Sequence, residues 1–165
     1  MPVRVRPVRA WIGLGGNVGD PPATLRAALL QLDALADTQL LRASRLYRTP
    51  AWGMAAQPDF VNAVALLDTM LGARALLEGM LGVERAFGRE RRERWGPRVL
   101  DLDLLLYGDA VIDEPGLRIP HPHLHERAFA LLPLLEIDPD ASIPGRGPAR
   151  DALAALAYEG IEAVG

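Results

Sequence analysis

Leu100-Asp101-Leu102-Asp103-Leu104-Leu105-Leu106-Tyr107 is the stretch on which the fold turns. In an extended strand successive side chains point to opposite faces, so Asp101 and Asp103 share one face and Leu102, Leu104 and Leu106 the other. Two residues of strand rise set the two aspartate Cα atoms roughly 6.5–7 Å apart. Aspartate is a poor strand former, and two like charges this close on a half-buried strand repel, so a cationic partner is expected. Two partners are open. A hard divalent cation with oxygen ligands is one, since magnesium takes one or two carboxylates plus substrate phosphates. The other is a set of arginines around a solvated strand end.

Working outward, Val8–Leu14 is a short apolar run that meets Gly15-Gly16-Asn17-Val18-Gly19, a strand followed by a turn. Asp20 before Pro21 starts a helix, an acceptor at the cap followed by a proline whose missing N–H costs nothing there. Leu25, Ala28, Leu29 and Leu32 carry that helix to about Ala36. Thr38–Arg48 alternates and predicts a strand, Thr49–Pro58 a loop, and Phe60–Leu67 a strand antiparallel to the previous one. Gly72 precedes a second helix over Ala73–Phe87, with Leu76, Leu77, Met80 and Val83 on one stripe. Gly88–Pro97 is an arginine-rich loop, and Val99–Tyr107 is the last clear strand.

The order strand–helix–strand–strand–helix–strand is the ferredoxin-like split pattern. It predicts an α+β sandwich with helices on one face of an antiparallel sheet, plus a C-terminal extension. That extension holds turns, a helix over Arg127–Leu135 strained by Pro133, and a short helix near Asp151–Tyr158. With no repeat and no linker, residues 1–165 are expected to form a single domain.

Composition narrows the chemistry. There is no cysteine among the 165 residues, which removes disulfides, thiolate zinc sites and a cysteine nucleophile. All 18 basic residues are arginine. Without lysine there is neither a Walker-type phosphate loop nor a Schiff base. The formal charge is -3, but residues 1–98 hold 14 arginines against 9 acids and residues 99–165 hold 4 against 12. This balance argues against a general nucleic-acid binder. Met1–Ala10 is interrupted by Pro2 and Pro7, and no apolar run is long enough for a signal or a membrane span, so a cytoplasmic location is expected.

The surroundings of the aspartates strengthen the metal reading. Gly88-Arg89-Glu90-Arg91-Arg92-Glu93-Arg94-Trp95-Gly96-Pro97-Arg98 places five arginines on a glycine-bounded loop, and arginine's planar fork suits phosphate oxygens. Taken alone, such a run is more often a solvated loop. Beside an Asp-x-Asp strand it is the equipment for moving phosphoryl groups of a nucleotide. Trp95 would either cover an aromatic ligand or anchor the loop. Ile119-Pro120-His121-Pro122-His123-Leu124-His125 holds all three histidines; a zinc site is one reading, although the spacing matches no common finger. Phosphate donation by histidine and Arg127 suits the context better. Between the middle strands, Trp52 and Phe60 offer flat surfaces and Asn62 offers a donor and an acceptor to a heterocycle edge. The two aromatics serve equally well as core.

These residues together resemble the 6-hydroxymethyl-7,8-dihydropterin pyrophosphokinase family of folate biosynthesis, from about Ala10 to Pro144. The likeness lies in Gly13-Leu14-Gly15-Gly16-Asn17, Tyr47-Arg48-Thr49-Pro50, Gln57-Pro58-Asp59-Phe60-Val61-Asn62, Gly88-Arg89 and Trp95-Gly96-Pro97-Arg98-Val99-Leu100-Asp101-Leu102-Asp103. Pro120-His121 and Arg127-Ala128-Phe129 complete it. The resemblance implies transfer of pyrophosphate from ATP to the pterin hydroxymethyl group, releasing AMP. It implies that Asp101 and Asp103 hold two magnesium ions, and that Arg89 and Arg98 bind the transferring phosphates. Arg91 and Trp95 would belong to a closing loop, while Glu84, Leu104, His121 and Arg127 fall on nucleotide-site positions. Phe60 and Phe129 would sandwich the pterin, Asn62 would read its edge, and Thr49, Pro50 and Trp52 would supply backbone around it.

The chain departs from the pattern in two places. Its arginine loop is one residue shorter than in the best-known member and lacks that member's lysine, and Pro122 follows His121 where some members carry tyrosine. No convincing protein base is visible, which leaves Asp101 or a metal-held water for the hydroxyl proton. A non-catalytic metabolite sensor and a magnesium-dependent nuclease are the rival readings. The first has no use for two bridging ions, and the second has no use for stacking surfaces. The expected partners are ATP and hydroxymethyl-dihydropterin, with no nucleic acid and no membrane, the chain is expected to be a monomer, and no fused later-pathway enzyme is expected within it.

Overall fold

The computed structural model of the chain describes residues 6–50, 58–88 and 99–164. Strand β1 (Val8–Gly16) is followed by helix α1 (Pro21–Asp33), β2 (Thr38–Ala43), β3 (Tyr47–Thr49), β4 (Phe60–Thr69), α2 (Ala73–Ala86) and β5 (Asp101–Tyr107). A hairpin of β6 (Ile112–Glu114) and β7 (Leu117–Ile119) leads through a short 3-10 turn into α3 (Ala128–Ile137). A second hairpin, β8 (Ser142–Ile143) with β9 (Gly147–Pro148), precedes α4 (Ala149–Ala154) and β10 (Glu162–Ala163). The main sheet runs β10-β3-β4-β1-β5, with β2 beside the other half of β4, and every pairing is antiparallel. This is the ferredoxin-like α+β arrangement expected from the element order.

The start of α1 follows its sequence signal, with the Ala23 N–H donating to Asp20 Oδ1 at 3.3 Å and Pro21 in the first turn. Ala10, Ile12 and Leu14 of β1 and Val61, Ala63, Ala65 and Leu67 of β4 face α1 and α2, where Leu25, Leu32, Leu76 and Met80 complete one apolar core. Val64 and Leu66 of β4 face the opposite side and pack with Leu131, Leu134 and Ile137 of α3 in a second core. Helices therefore cover both faces, not one. The C-terminal extension supplies the second layer because the sheet's alternate residues are also apolar and must be buried.

Several boundaries differ from the sequence reading. The glycines after Leu14 continue β1, because Gly15 and Gly16 pair with Asn62 and Val61. The segment read as one strand over Thr38–Arg48 is broken at residues 44–46. There Ser44 both donates its N–H to the Val64 carbonyl and accepts the Val64 N–H on its hydroxyl, at 2.9 and 3.0 Å. Helix α3 runs two residues beyond Leu135 although Pro133 lies inside it, since burial of Ala130, Leu131, Leu134 and Ile137 outweighs the lost ladder bond. The last short helix is Ala149–Ala154 in place of Asp151–Tyr158.

The deciding stretch holds one surprise. In β5 Leu104 pairs with Ile12 but Leu106 pairs with Trp11, so Leu105 is an extra residue, a β-bulge. Asp101, Asp103 and Leu105 look toward α3, and Leu102 and Leu104 toward α1 and α2, as strict alternation requires. Beyond the bulge the phase reverses, and Leu106 joins the α3 side and Tyr107 the other. The face expected for Leu106 is thus corrected. Leu105 is 2% exposed, whereas Leu30 on α1 is 73% exposed. Leu105→Ala is expected to cost about 2–5 kcal/mol in urea unfolding and Leu30→Ala less than about 0.5 kcal/mol.

Candidate functional site

Pairing registers bring the chemistry to one face. Asn62 of β4 lies across from Gly15 of β1, and Gly15 across from Asp101 of β5. Gly13 lies across from Asp103 in the same way. Thr49 of β3 pairs with Phe60. Cross-strand partners share a face, so Thr49, Phe60, Asn62, Asp101 and Asp103 all project to the α3 side, at the end of the sheet that α3 leaves uncovered by its apolar contacts. Two strand spacings, roughly 10 Å, separate the Asn62 and Asp101 backbones.

The glycines of β1 make this row possible. A Cβ at Gly15 would sit 2.7 Å from Asn62 Oδ1, a distance that real contacts do not reach. The Asn62 carboxamide therefore lies over Gly15, with its Nδ2 donating to the Thr49 hydroxyl at 3.1 Å. Gly13 is shadowed at 3.5 Å by the bulged Leu105. Asn17 Nδ2, just beyond β1, donates to the Pro58 carbonyl at 3.2 Å and is itself buried. Sequence reading took Gly15 through Gly19 for a turn and missed this packing role; the Gly-x-Gly spacing within the strand was the available signal.

At β5 the backbone is held from both sides. Glu84, buried on α2, accepts the Leu102 N–H at 2.7 Å on Oε2, fixing the link between the two aspartates. The Leu105 carbonyl at the bulge accepts the His121 N–H at 2.9 Å, which brings the histidine segment alongside. His121 Nε2 then stands 3.9 Å from Asp103 Oδ1, and an Arg127 guanidinium nitrogen 3.8 Å from Asp103 Oδ2. Both separations exceed hydrogen-bond length. Burial, with Arg127 and His123 nearby, pulls His121 down to about 4. Its ring is neutral near pH 7, so of these two neighbours it is Arg127 that presents a positive charge to Asp103. The His123 N–H donates to His121 Nδ1 at 3.1 Å, which assigns the ring hydrogen to Nε2, on the Asp103 side.

Phe129, in the first turn of α3, is half-buried, and the Arg127 guanidinium lies 5.7 Å from its ring centre. Pro50 follows Thr49 at the rim, half-buried. Leu104 is not brought to this cluster: its side chain lies in the α1–α2 core. Glu84 approaches from that same side and bonds the β5 backbone at Leu102. Trp52, Arg89, Arg91, Trp95 and Arg98 lie outside the described residues. Among the described residues no group of three or more histidines and acids converges to hold a metal. Asp101 and Asp103 supply hard oxygen donors from one strand face, a set that suits a cation sharing its shell with substrate phosphates.

A family model described as 7,8-dihydro-6-hydroxymethylpterin-pyrophosphokinase matches residues 11–139. The chain belongs to this family. It is 44% identical over 154 residues to the 2-amino-4-hydroxy-6-hydroxymethyldihydropteridine pyrophosphokinase of Pseudomonas aeruginosa, covering 93% of this chain and 95% of that one. Its identity to the protein of the same name from Methylorubrum extorquens is 46% over 156 residues, covering 94% and 98%. Among solved structures, Plasmodium falciparum HPPK-DHPS with pteroate superposes with a TM-score of 0.72 over 93% of this chain at 13% identity. That likeness shows the shared fold, and this pyrophosphokinase-family chain covers 43% of the longer protein.

The glycine floor gives a direct test. Gly15→Ala is expected to displace Asn62 from Thr49 and cost about 1–3 kcal/mol in urea unfolding. Gly13→Ala, which meets Leu105 at ordinary contact distance, is expected to be neutral or stabilising by up to about 1 kcal/mol.

Proposed function

We propose how this face carries out the family's reaction. The chain transfers a pyrophosphoryl group from ATP to the hydroxymethyl group of 6-hydroxymethyl-7,8-dihydropterin in folate biosynthesis. The substrate hydroxyl oxygen bonds to the β-phosphorus and gives up its proton to Asp101 or to water, while the bond from the β-phosphorus to the oxygen it shares with the α-phosphate breaks and AMP leaves with that oxygen. The observation that carries the assignment of roles is the row Asn62–Gly15–Asp101, which sets a heterocycle-reading amide and a carboxylate on one face.

In this reading Asn62 reads the pterin edge, held in orientation by Thr49, while Phe60 and Phe129 flank the ring and Pro50 and Trp52 line its rim. Asp101 and Asp103 would hold two magnesium ions, which when bound supply charge neutralisation to the triphosphate. Arg127 turns its guanidinium toward phosphate oxygens, and His121 offers its Nε2–H, a neutral donor that adds no charge. Glu84 keeps the β5 backbone in place between the two carboxylates. Arg89 and Arg98 bind the transferring phosphates by analogy with the family, and Arg91 and Trp95 close the nucleotide side. The Leu104 backbone is the part of that residue available to the nucleotide.

No helix among the described residues is long and apolar enough to cross a membrane. We take residues 1–165 as one domain working as a monomer in the cytoplasm.

With Mg-ATP and hydroxymethyl-dihydropterin, Asp101→Ala and Asp103→Ala are each expected to lower AMP formation at least about 10³-fold at saturating magnesium, with circular dichroism unchanged. A loss of under tenfold in either variant removes that carboxylate from the chemistry. Arg89→Ala is expected to reduce kcat more than ATP affinity, and equal losses contradict its assignment to the transferring phosphates.

A further inference from the structure

Away from the aspartates, one carboxylate joins both walls of the pterin slot. Glu136, in the last turn of α3, accepts the Tyr47 hydroxyl and the Arg45 Nε–H on Oε1, the latter at 3.3 Å. Its Oε2 accepts the Arg45 backbone N–H at 2.9 Å. Arg42 adds a bond from its guanidinium to the Ile137 carbonyl at 2.8 Å, satisfying a carbonyl at the helix end. Arg45 also lies 5.8 Å from the Tyr47 ring centre.

We infer that Glu136 is a positioning residue for the pterin slot: with Arg42, Arg45 and Tyr47 it locks the far end of α3 to the β2–β3 break and so sets where Phe129 stands opposite Phe60. The inference rests on the reading that Phe60 and Phe129 flank the pterin.

The reasoning is geometric. Against the sheet α3 presents Ala130, Leu131, Leu134 and Ile137, whose apolar contacts are non-directional and tolerate small slides along the helix axis. Hydrogen bonds do not tolerate them. Glu136 lies seven residues from Phe129, about 10.5 Å along the helix, so a slip or tilt at the clamp is passed on to the ring. The second wall depends on the same contact. Tyr47 pairs with Asn62 across β3 and β4 and precedes Thr49 by two residues on the same face. Strand β3 is only three residues long, and the Tyr47 hydroxyl ties it to Glu136 of α3. Protonation does not loosen the clamp near neutrality. Burial and the Glu136 contact push the Tyr47 hydroxyl up, and the donors Tyr47 and Arg45 outweigh burial to hold the Glu136 carboxyl below its ordinary value.

Steady-state kinetics on Glu136→Gln and Tyr47→Phe, with Phe129→Ala as reference, test this. Tyr47→Phe keeps the buried ring volume, so it remains informative if Glu136→Gln proves unstable. Either clamp variant is expected to raise the KM for hydroxymethyl-dihydropterin about five- to twentyfold, with the ATP KM and kcat within about twofold. The double variant is expected to be no worse than the worse single, because the two residues form one unit. An unchanged pterin KM in both clamp variants while Phe129→Ala raises it overturns the clamp alone. Parallel losses in pterin KM, ATP KM and kcat overturn it as well, by showing a general structural defect. An unchanged pterin KM in Phe129→Ala overturns the slot, and the clamp with it.

Discussion

Everything at the site depends on the register of β1 against both its neighbours. Because β1 is central, one glycine position lies across from Asn62 on one side and Asp101 on the other. Side chains of cross-strand partners share a face, so a slip of one residue on either side would send the amide or the carboxylate into the α1–α2 core. The register is held by what lies beneath. Ala10, Ile12 and Leu14 are sealed against α1 and α2, and none of them can be exchanged for a glycine-side position without exposing apolar surface. Hydrophobic burial on one side of the sheet thus fixes polar geometry on the other.

How far this was legible in the sequence differs by element. The Asp-x-Asp strand announced a shared face through simple period-two alternation, and it held up to Leu105. A bulge leaves no mark in a run of leucines, since each leucine is equally at home on either side of a sheet covered on both faces. The sandwich itself followed from element order. The second helical layer did not: a helix over Arg127–Leu135 was legible, but its place on the sheet's other face is set by burial that no local pattern shows. The break at residues 44–46 depends on Ser44 bonding Val64, a contact twenty residues distant that no local window contains.

At the site, residue identity was more legible than residue direction. Leu104 and Glu84 stand at matching family positions, yet the Leu104 side chain is turned into the α1–α2 core and Glu84 bonds the β5 backbone from that side. The glycines of β1 read as a turn because glycine punctuates chains more often than it makes room within strands. His121 carries a similar lesson. Its place beside Asp103 suggests an ion pair, but burial and the Arg127 charge keep the ring neutral, so of these two neighbours Arg127 carries the positive charge.

The central claim is that Asp101 and Asp103 act together from one strand face. A crystal structure of the chain with magnesium, hydroxymethyl-dihydropterin and an ATP analogue uncleavable between its α- and β-phosphates tests it most directly. The account predicts magnesium ions at about 2.0–2.1 Å from oxygens of both aspartates, with the pterin edge against Asn62. Ions ligated by only one of the two, or Asp103 still turned to Arg127 with the ions elsewhere, would contradict it.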